Sequence, residues 1–256
     1  MIFELYLILT NSFSHTTETT MQFLYPVKQF LNIQNYYYWV VAITFFGTFA
    51  MISGFVAFDT IFVIFIQHAC GMFAILIERL KNINGDNAIF LKHNNNKNQD
   101  KNCKILIECL AVHEIIIEFT DLVNSTFSLG LLISTILNSI LLSFTSFCAR
   151  EYRHNPTIMT RYIILTVVEI FHLFNKFWQC QTLIDHSILF RNSIYDSNWY
   201  KVSPKTKKVL YIMLIRSKKL CTITAGKFFE MSFHTFGKIL KTAASYFTVL
   251  VTIKKV

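Results

Sequence analysis

The stretch Leu122–Cys148, LVNSTFSLGLLISTILNSILLSFTSFC, decides the fold. It holds no charged side chain and is longer than the roughly 20 helical residues that cross the hydrocarbon core of a bilayer. Within lipid every peptide group must be bonded inside the protein, which leaves helices and closed barrels. Barrel strands alternate with many turns, and this chain has 7 Gly and 3 Pro against 26 Phe. Helices are therefore expected.

The neighbouring segments extend this span. Ile105–Asp121 places Ile107, Leu110 and Ile117 among Glu108, Glu114 and Glu118 at helical spacing, a helical extension on the loop side. Ahead of it, Glu78–Lys104 is rich in Asn and Lys, including the run Lys92–Asn98, and is expected to be a solvated loop. From Tyr36 to Ile77 the single formal charge is Asp59. This segment supplies a span near Tyr36–Val56, with Asp59 at its far interface and a helical continuation beyond.

Downstream, Ala149–Thr157 contains Arg150, Arg153 and Pro156 and reads as a short turn. Ile158–Cys180 is the next span, with Glu169 and His172 inside it and Lys176 near its end. The last segment, Ala225–Ile253, is apolar on balance but carries Lys227, Glu230, His234, Lys238 and Lys241. A helix with charges at membrane depth faces protein or water rather than lipid. Met1–Thr10 is apolar but interrupted by Glu4 and lacks a basic start. It reads as the tail of a preceding span rather than a signal peptide.

The whole-chain numbers agree. Of the 256 residues 53% are hydrophobic and 15% charged, with a mean hydropathy of +0.43, against about 25% charge in soluble domains. The net charge of +9 does not indicate nucleic acid, because the basic residues sit in loops between apolar runs. Six Lys and Arg fall between Arg79 and Lys104, and ten between Lys176 and Lys227, of 24 in all. In a four-span layout both regions lie on one side, which the positive-inside rule makes cytoplasmic. The six cysteines form no C-x-x-C pair and no metal-ligand spacing, so they read as small apolar fillers. No cofactor or metal is expected. No nucleophile–base pair or carboxylate pair stands out, and the chain does not read as an enzyme.

Between Tyr195 and Lys255 the sequence resembles a known family. Tyr195-Asp196-Ser197-Asn198-Trp199-Tyr200 looks like the aromatic Y-x-x-x-W-Y signature of insect odorant receptors. Arg216-Ser217-Lys218-Lys219, Thr224-Ala225-Gly226-Lys227-Phe228, Thr235-Phe236, Ile239-Leu240-Lys241 and Ser245–Leu250 match that family's last-helix pattern. Tyr25-Pro26, Asp59 and His113 also fall at familiar positions. Gustatory receptors share the architecture, but their last helix usually ends in Gln-Phe where this chain has Thr252-Ile253. Where the family often has Pro this chain has Leu220. The expected break in its final helix then falls to Gly226 and the β-branched run Thr222-Ile223-Thr224.

The resemblance implies an all-α membrane protein, with four transmembrane helices corresponding to the family's fourth to seventh and long cytoplasmic extensions. Its segments would be 1–35, the end of a preceding span and an extracellular stretch; 36–80, a transmembrane helix with its extension; 81–104, a cytoplasmic loop; and 105–148, a cytoplasmic and transmembrane helix. Then come 149–157, an extracellular loop; 158–180, a transmembrane helix; 181–224, a cytoplasmic anchor; and 225–256, a pore-lining helix. It further implies an odorant-gated cation channel subunit in a heterotetramer with a coreceptor. The chain would be N-terminally truncated, in the plasma membrane of olfactory neuron dendrites, in contact with membrane lipid. A gustatory-type channel and a non-functional fragment are the alternatives.

By the same resemblance Val249, Thr252 and Ile253 belong to the pore and gate, and Lys238 and Lys241 to the wider cytoplasmic vestibule. Phe45, Phe46 and Phe49, with Ile164, Val168 and Phe171, would wall a site for a volatile ligand. Trp199 and Tyr200 would anchor subunits to one another. Glu169 is read either as a polar contact for ligand or as an acid neutralised by His172 or a neighbouring helix. Asn124-Ser125-Thr126 fits the glycosylation pattern but starts a membrane helix.

Overall fold

In the computed structural model residues 37–85, 95–197 and 199–255 are described. Met1–Thr10, Tyr25-Pro26, Lys92–Asn94 and Asn198 lie outside the described residues. Five helices follow one another: α1 Tyr37–Gly85, α2 Asn95–Glu151, α3 Pro156–Tyr195, α4 Pro204–Ser217 and α5 Phe233–Lys255. Single 3₁₀ turns, Tyr152–His154 and Trp199–Lys201, precede α3 and α4. A small hairpin of β1 Thr224–Ala225 and β2 Phe229–Glu230 separates α4 from α5.

Local chemistry sets the boundaries. Neither α1 nor α2 contains a proline, so nothing removes a hydrogen bond from their interiors. The turn between α2 and α3 ends at Asn155, which is extended (φ −113°, ψ 93°), and Pro156 then opens α3. Proline suits a first helical position, where its missing N–H would be unpaired anyway. The same device starts α4, where Ser203 caps the helix by accepting from the Thr206 N–H at 3.3 Å ahead of Pro204.

Two units are distinguished, one ending at Ile61 and one running from Phe62. In the first, described from Tyr37, α1 is exposed over Ile43, Phe45, Phe46, Phe49, Met51 and Val56, while Thr48 is buried and donates to the Thr44 carbonyl at 2.6 Å. Apolar surface of this kind suits lipid.

The second unit shows where the core sits. Its fully buried side chains concentrate at the ends of the helices remote from the short α2–α3 turn. Phe73, Leu76 and Leu80 of α1, Leu106, Cys109 and Ile116 of α2, Leu183, Phe190 and Ile194 of α3 and Met213 of α4 are all buried. A ring cluster lies at its centre, with His113 4.6 Å from Phe190 and Phe73 5.8 Å from Phe190, centroid to centroid. Towards the turn the pattern inverts. Leu129, Ile133, Ile136, Ile140 and Phe144 of α2 and Ile163, Val167 and Ile170 of α3 are exposed. One end of the bundle buries its apolar residues against water; the other turns them outward.

This division locates the bilayer around the outward-facing half. Among the described residues four helices are long and apolar enough to cross a membrane, within Ala42–Lys81, Cys103–His154, Pro156–Tyr195 and Phe233–Lys254. The ion pair of Arg216 with Glu114 at 3.1 Å ties the second basic region to the loop end of α2, and the Cys221 amide donating to Ser187 Oγ at 3.3 Å ties it to α3.

Two segments differ from the sequence reading. Asn95–Lys104 is helical, not loop, because a helix already nucleated by the amphipathic turns after Ile105 propagates at small cost per residue. The final segment does not run as helix from Ala225: the chain leaves α4 at Ser217, forms the hairpin and re-enters helix at Phe233. The interruption needs no proline. Gly226 and Lys227 both take positive φ, 59° and 62°, a turn that helix cannot contain.

Candidate functional site

α5 carries the candidate site. Lys238, Lys241, Ser245, Thr248 and Thr252 are all exposed and follow one another by three, four, three and four residues, so they share one face. Ala243, on the other side, is buried. Each threonine on this face turns its hydroxyl proton inward: Thr248 Oγ1 donates to the Ser245 carbonyl at 2.7 Å and Thr252 Oγ1 to the Thr248 carbonyl at 2.9 Å. Their oxygen lone pairs stay available. Val249 (50% exposed) lies between Thr252 and Ile253 (67% exposed), and Ile253 continues into an apolar flank with Tyr246. Val249, Thr252 and Ile253, the residues expected at the gate, are thus brought together on one side of the helix.

α2 holds α5 along its length. At the hairpin that leads into α5, Asn124 Oδ1 accepts from the Thr224 N–H at 2.8 Å and from Thr224 Oγ1 at 3.1 Å, and the Ser128 carbonyl accepts from the Gly226 N–H at 2.8 Å. In the bilayer Ser143 Oγ donates to the Ala243 carbonyl at 3.0 Å. At the far end of α5 Lys254 pairs with Glu151. Contacts advance in step along both helices, so the two run parallel. α3 meets the start of α5 through rings: Phe174 stacks on Phe233 at 5.9 Å, and Phe177 lies 5.8 Å from Phe236.

Glu169 is only 8% exposed, on the α3 face that also buries Leu165, Leu173 and Lys176. Its Oε2 accepts no hydrogen bond. Lys176 Nζ donates to Ser134 Oγ of α2 at 2.6 Å. Ile164, Val168 and Phe171 form a separate, exposed stripe, with Val168 about 100° round the helix from Glu169. The acid and the proposed ligand wall therefore do not share a face. In the first unit Phe45, Phe46 and Phe49 are exposed, with the Phe45 and Phe46 rings edge to face at 5.9 Å.

Trp199 lines an apolar cavity of about 350 Å³ with Ile194, Tyr195, Lys207, Leu210, Tyr211 and Leu214. Tyr200 sits beside it, 6.1 Å from the Trp199 ring, without lining the cavity. Burial pushes the His113 imidazole down to about 4, with the Arg216 charge adding to the effect and Glu114 opposing it. Burial likewise raises the Cys221 thiol to about 11, which leaves it unreactive. Among the described residues no cluster of His, Cys, Asp or Glu is placed to hold a metal.

Sequence reasoning missed Asn124, Ser128 and Ser143 as supports. Their signal was present as polar residues in an otherwise apolar span, but Asn124 drew notice only as a glycosylation pattern.

The chain is similar to known proteins. The chain is 24% identical over 216 residues to odorant receptor 67c of Drosophila melanogaster, covering 84% of this chain and 50% of that one. It is 25% identical over 152 residues to odorant receptor 85b of the same fly, covering 59% and 39%. To the odorant receptor coreceptor of Aedes aegypti it is 26% identical over 146 residues, covering 56% and 30%. The chain thus spans half or less of these relatives' length. Its fold is similar to that of the insect olfactory receptor OR5 from Machilis hrabei, solved in complex with eugenol. That match has a TM-score of 0.56 at 18% identity and covers 98% of this chain and 61% of that one. The 7tm Odorant receptor family model matches residues 1–244. With an outward-facing apolar half, four helices able to span a bilayer and this match, the chain is an all-α, multi-pass membrane protein that belongs to the insect odorant receptor family.

Proposed function

We propose that the chain acts as a subunit of an odorant-gated cation channel whose pore is lined by α5, in a tetramer with a coreceptor in the plasma membrane of olfactory sensory neuron dendrites. The observation that carries this is the exposed polar stripe Lys238–Lys241–Ser245–Thr248–Thr252. Hydroxyls and ammonium groups facing outward at membrane depth are unfavourable against lipid. Facing a water-filled axis shared with other subunits, the same stripe is solvated. Val249 and Ile253, beside its outer end, then form the hydrophobic constriction that closes by dewetting.

The remaining parts follow. The apolar cavity at Trp199 suits contact between anchor regions of neighbouring subunits, with aromatic area supplying the attachment. The exposed stripe of Ile164, Val168 and Phe171 offers apolar contact to a volatile, mainly apolar ligand, and the exposed Phe45, Phe46 and Phe49 offer contact of the same kind by themselves.

The test is current through cells that express this chain with an insect coreceptor and meet a broad odorant panel. Evoked cation current is expected, altered by Val249→Ala and Thr252→Val and increased by Lys241→Gln. Current that ignores all three substitutions refutes the pore assignment. Silence with the protein at the cell surface refutes channel activity for this chain.

A further inference from the structure

The link between α4 and α5 rests on α2 in an uneven way. Ile223 and Ala225 are fully buried, but Lys219–Thr224 does not close on α2 along its whole length. A polar cavity of about 140 Å³ lies between them, lined by Thr120, Asp121, Asn124, Lys219, Cys221 and Thr224 among others. Such a space has room for several water molecules, each occupying about 30 Å³ in the liquid. Apolar burial draws the link inward without choosing which residue meets which turn of α2. Asn124 makes that choice, because one carboxamide oxygen takes both the Thr224 N–H and its hydroxyl. Two residues on, Gly226 N–H reaches the Ser128 carbonyl one turn along α2. The hairpin closes with Met231 N–H on the Ile223 carbonyl at 2.9 Å, and α5 starts two residues later.

We propose that Asn124 is a positioning residue: its side-chain oxygen holds the hairpin against α2, so that the entry of the pore-lining helix follows α2 and not α4. A helix held only by its anchor end would be free to rotate about the link. With Asn124 and Ser128 fixing its entry and Ser143 fixing its middle, α5 can turn only as α2 does. The link to gating rests on the channel reading above; the positioning itself does not.

Two variants separate the possibilities. Asn124→Ala removes the acceptor, whereas Asn124→Asp keeps it beside Lys219, which lines the same cavity. Both delete the glycosylation pattern equally. Hydrogen exchange of the chain in lipid nanodiscs is the first measurement. Asn124→Ala is expected to speed exchange at least ten-fold at Thr224–Met231 and in the first turn of α5, with α3 unchanged, and Asn124→Asp to match wild type. Exchange within two-fold of wild type in Asn124→Ala, or equal acceleration across α2 and α3, overturns the proposal. So does an Asp variant that behaves as Ala does.

The second measurement is current with the coreceptor. Odorant-free current is expected to rise several-fold in Asn124→Ala and not in Asn124→Asp. Unchanged current in the Ala variant overturns the coupling to the gate. No odorant current from the wild-type chain refutes the channel reading, and the exchange result then decides the role of Asn124 alone.

Discussion

Replacing Gly226 by alanine tests how closely the hairpin rests on α2. The residue sits at φ 59°, a left-handed conformation that costs an L-residue roughly 1–2 kcal/mol. An added Cβ would overlap the Leu132 Cδ2 methyl and come within 3.2 Å of Leu132 Cβ and 3.1 Å of a Phe228 ring carbon. Rotating the leucine removes the first conflict but not the second, because Leu132 Cβ is fixed to the α2 backbone. Overpacking of this kind costs about 1–3 kcal/mol. Together these give a loss of about 2–5 kcal/mol. Gly237 in α5 is the internal control, since a methyl group added there would meet nothing within 4 Å. At that position alanine should stabilise by about 0.5–1 kcal/mol through helix propensity. Reversible unfolding in mixed micelles, followed by circular dichroism, reads both. A Gly226→Ala loss below about 0.5 kcal/mol, well under the overpacking range, would refute the reasoning, as would equal effects at the two glycines.

Three further outcomes follow from the core. His113, held near 4 instead of its ordinary 6.5, binds fewer protons folded than unfolded. Its stability contribution is complete above pH 6.5 and is lost as the pH falls towards 4, amounting to about 2 kcal/mol at pH 5. Unfolding midpoints at pH 7.5 and 5 should show this loss in wild type and a flatter response in His113→Leu. Phe190→Ala empties the ring cluster with Phe73 and His113 and should cost about 3–5 kcal/mol, seen as lost surface expression and a lowered midpoint. Glu169→Gln keeps the shape of a buried side chain whose Oε2 has no hydrogen-bond partner and removes its ability to ionise. It should leave stability within about 1 kcal/mol of wild type and odorant dose-response unchanged. A shifted dose-response curve would restore the acid to the ligand site.

Much of this was legible because lipid imposes simple rules. The span Leu122–Cys148, the basic regions on one side and the odd charge content of the last segment all follow from the cost of burying charge. What the sequence hides is how far each helix runs past the membrane. α1 and α2 continue through Asp59 and Asn95–Lys104 without a stop, since no glycine–proline pair or cap interrupts them and helix propagation is cheap. The hairpin was hidden for a different reason. Thr222–Glu230 has no hydrophobic alternation long enough to declare strands, and its two-residue pairing is set by contact with Asn124 and Ser128. Among the candidate site residues, one-face groupings within a helix were readable from spacing: Val249 with Ile253, Ile164 with Val168 and Phe171. The assignment of Glu169 was not, because two neighbouring positions on a helix point about 100° apart and only a partner helix says which is inside.

The register between helices adds a constraint that no single helix reveals. Along α2 and α3 the paired positions move in opposite senses: Ser134 meets Lys176 at 2.6 Å and Thr145 meets Thr166 at 3.2 Å. Along α2 and α5 they move together, from Asn124 with Thr224 through Ser143 with Ala243 to Glu151 with Lys254. α2 is therefore shared, antiparallel to the helix whose apolar stripe is offered to ligand and parallel to the helix whose polar stripe is offered to the pore. α3 touches α5 directly through the aromatic group of Phe174, Phe177, Phe233 and Phe236, at the start of α5. A displacement of the outer half of α3 must then reach Val249 either down α3 to those rings or across α2 through Thr145 and Ser143. The second route is short and made of hydroxyl groups that exchange partners at little cost. The first is made of packed rings that move only as a body. In the channel proposed above, gating driven by small ligands of modest binding energy would favour the hydroxyl route, which puts α2, rather than either helix that bears a candidate site, at the centre of the coupling.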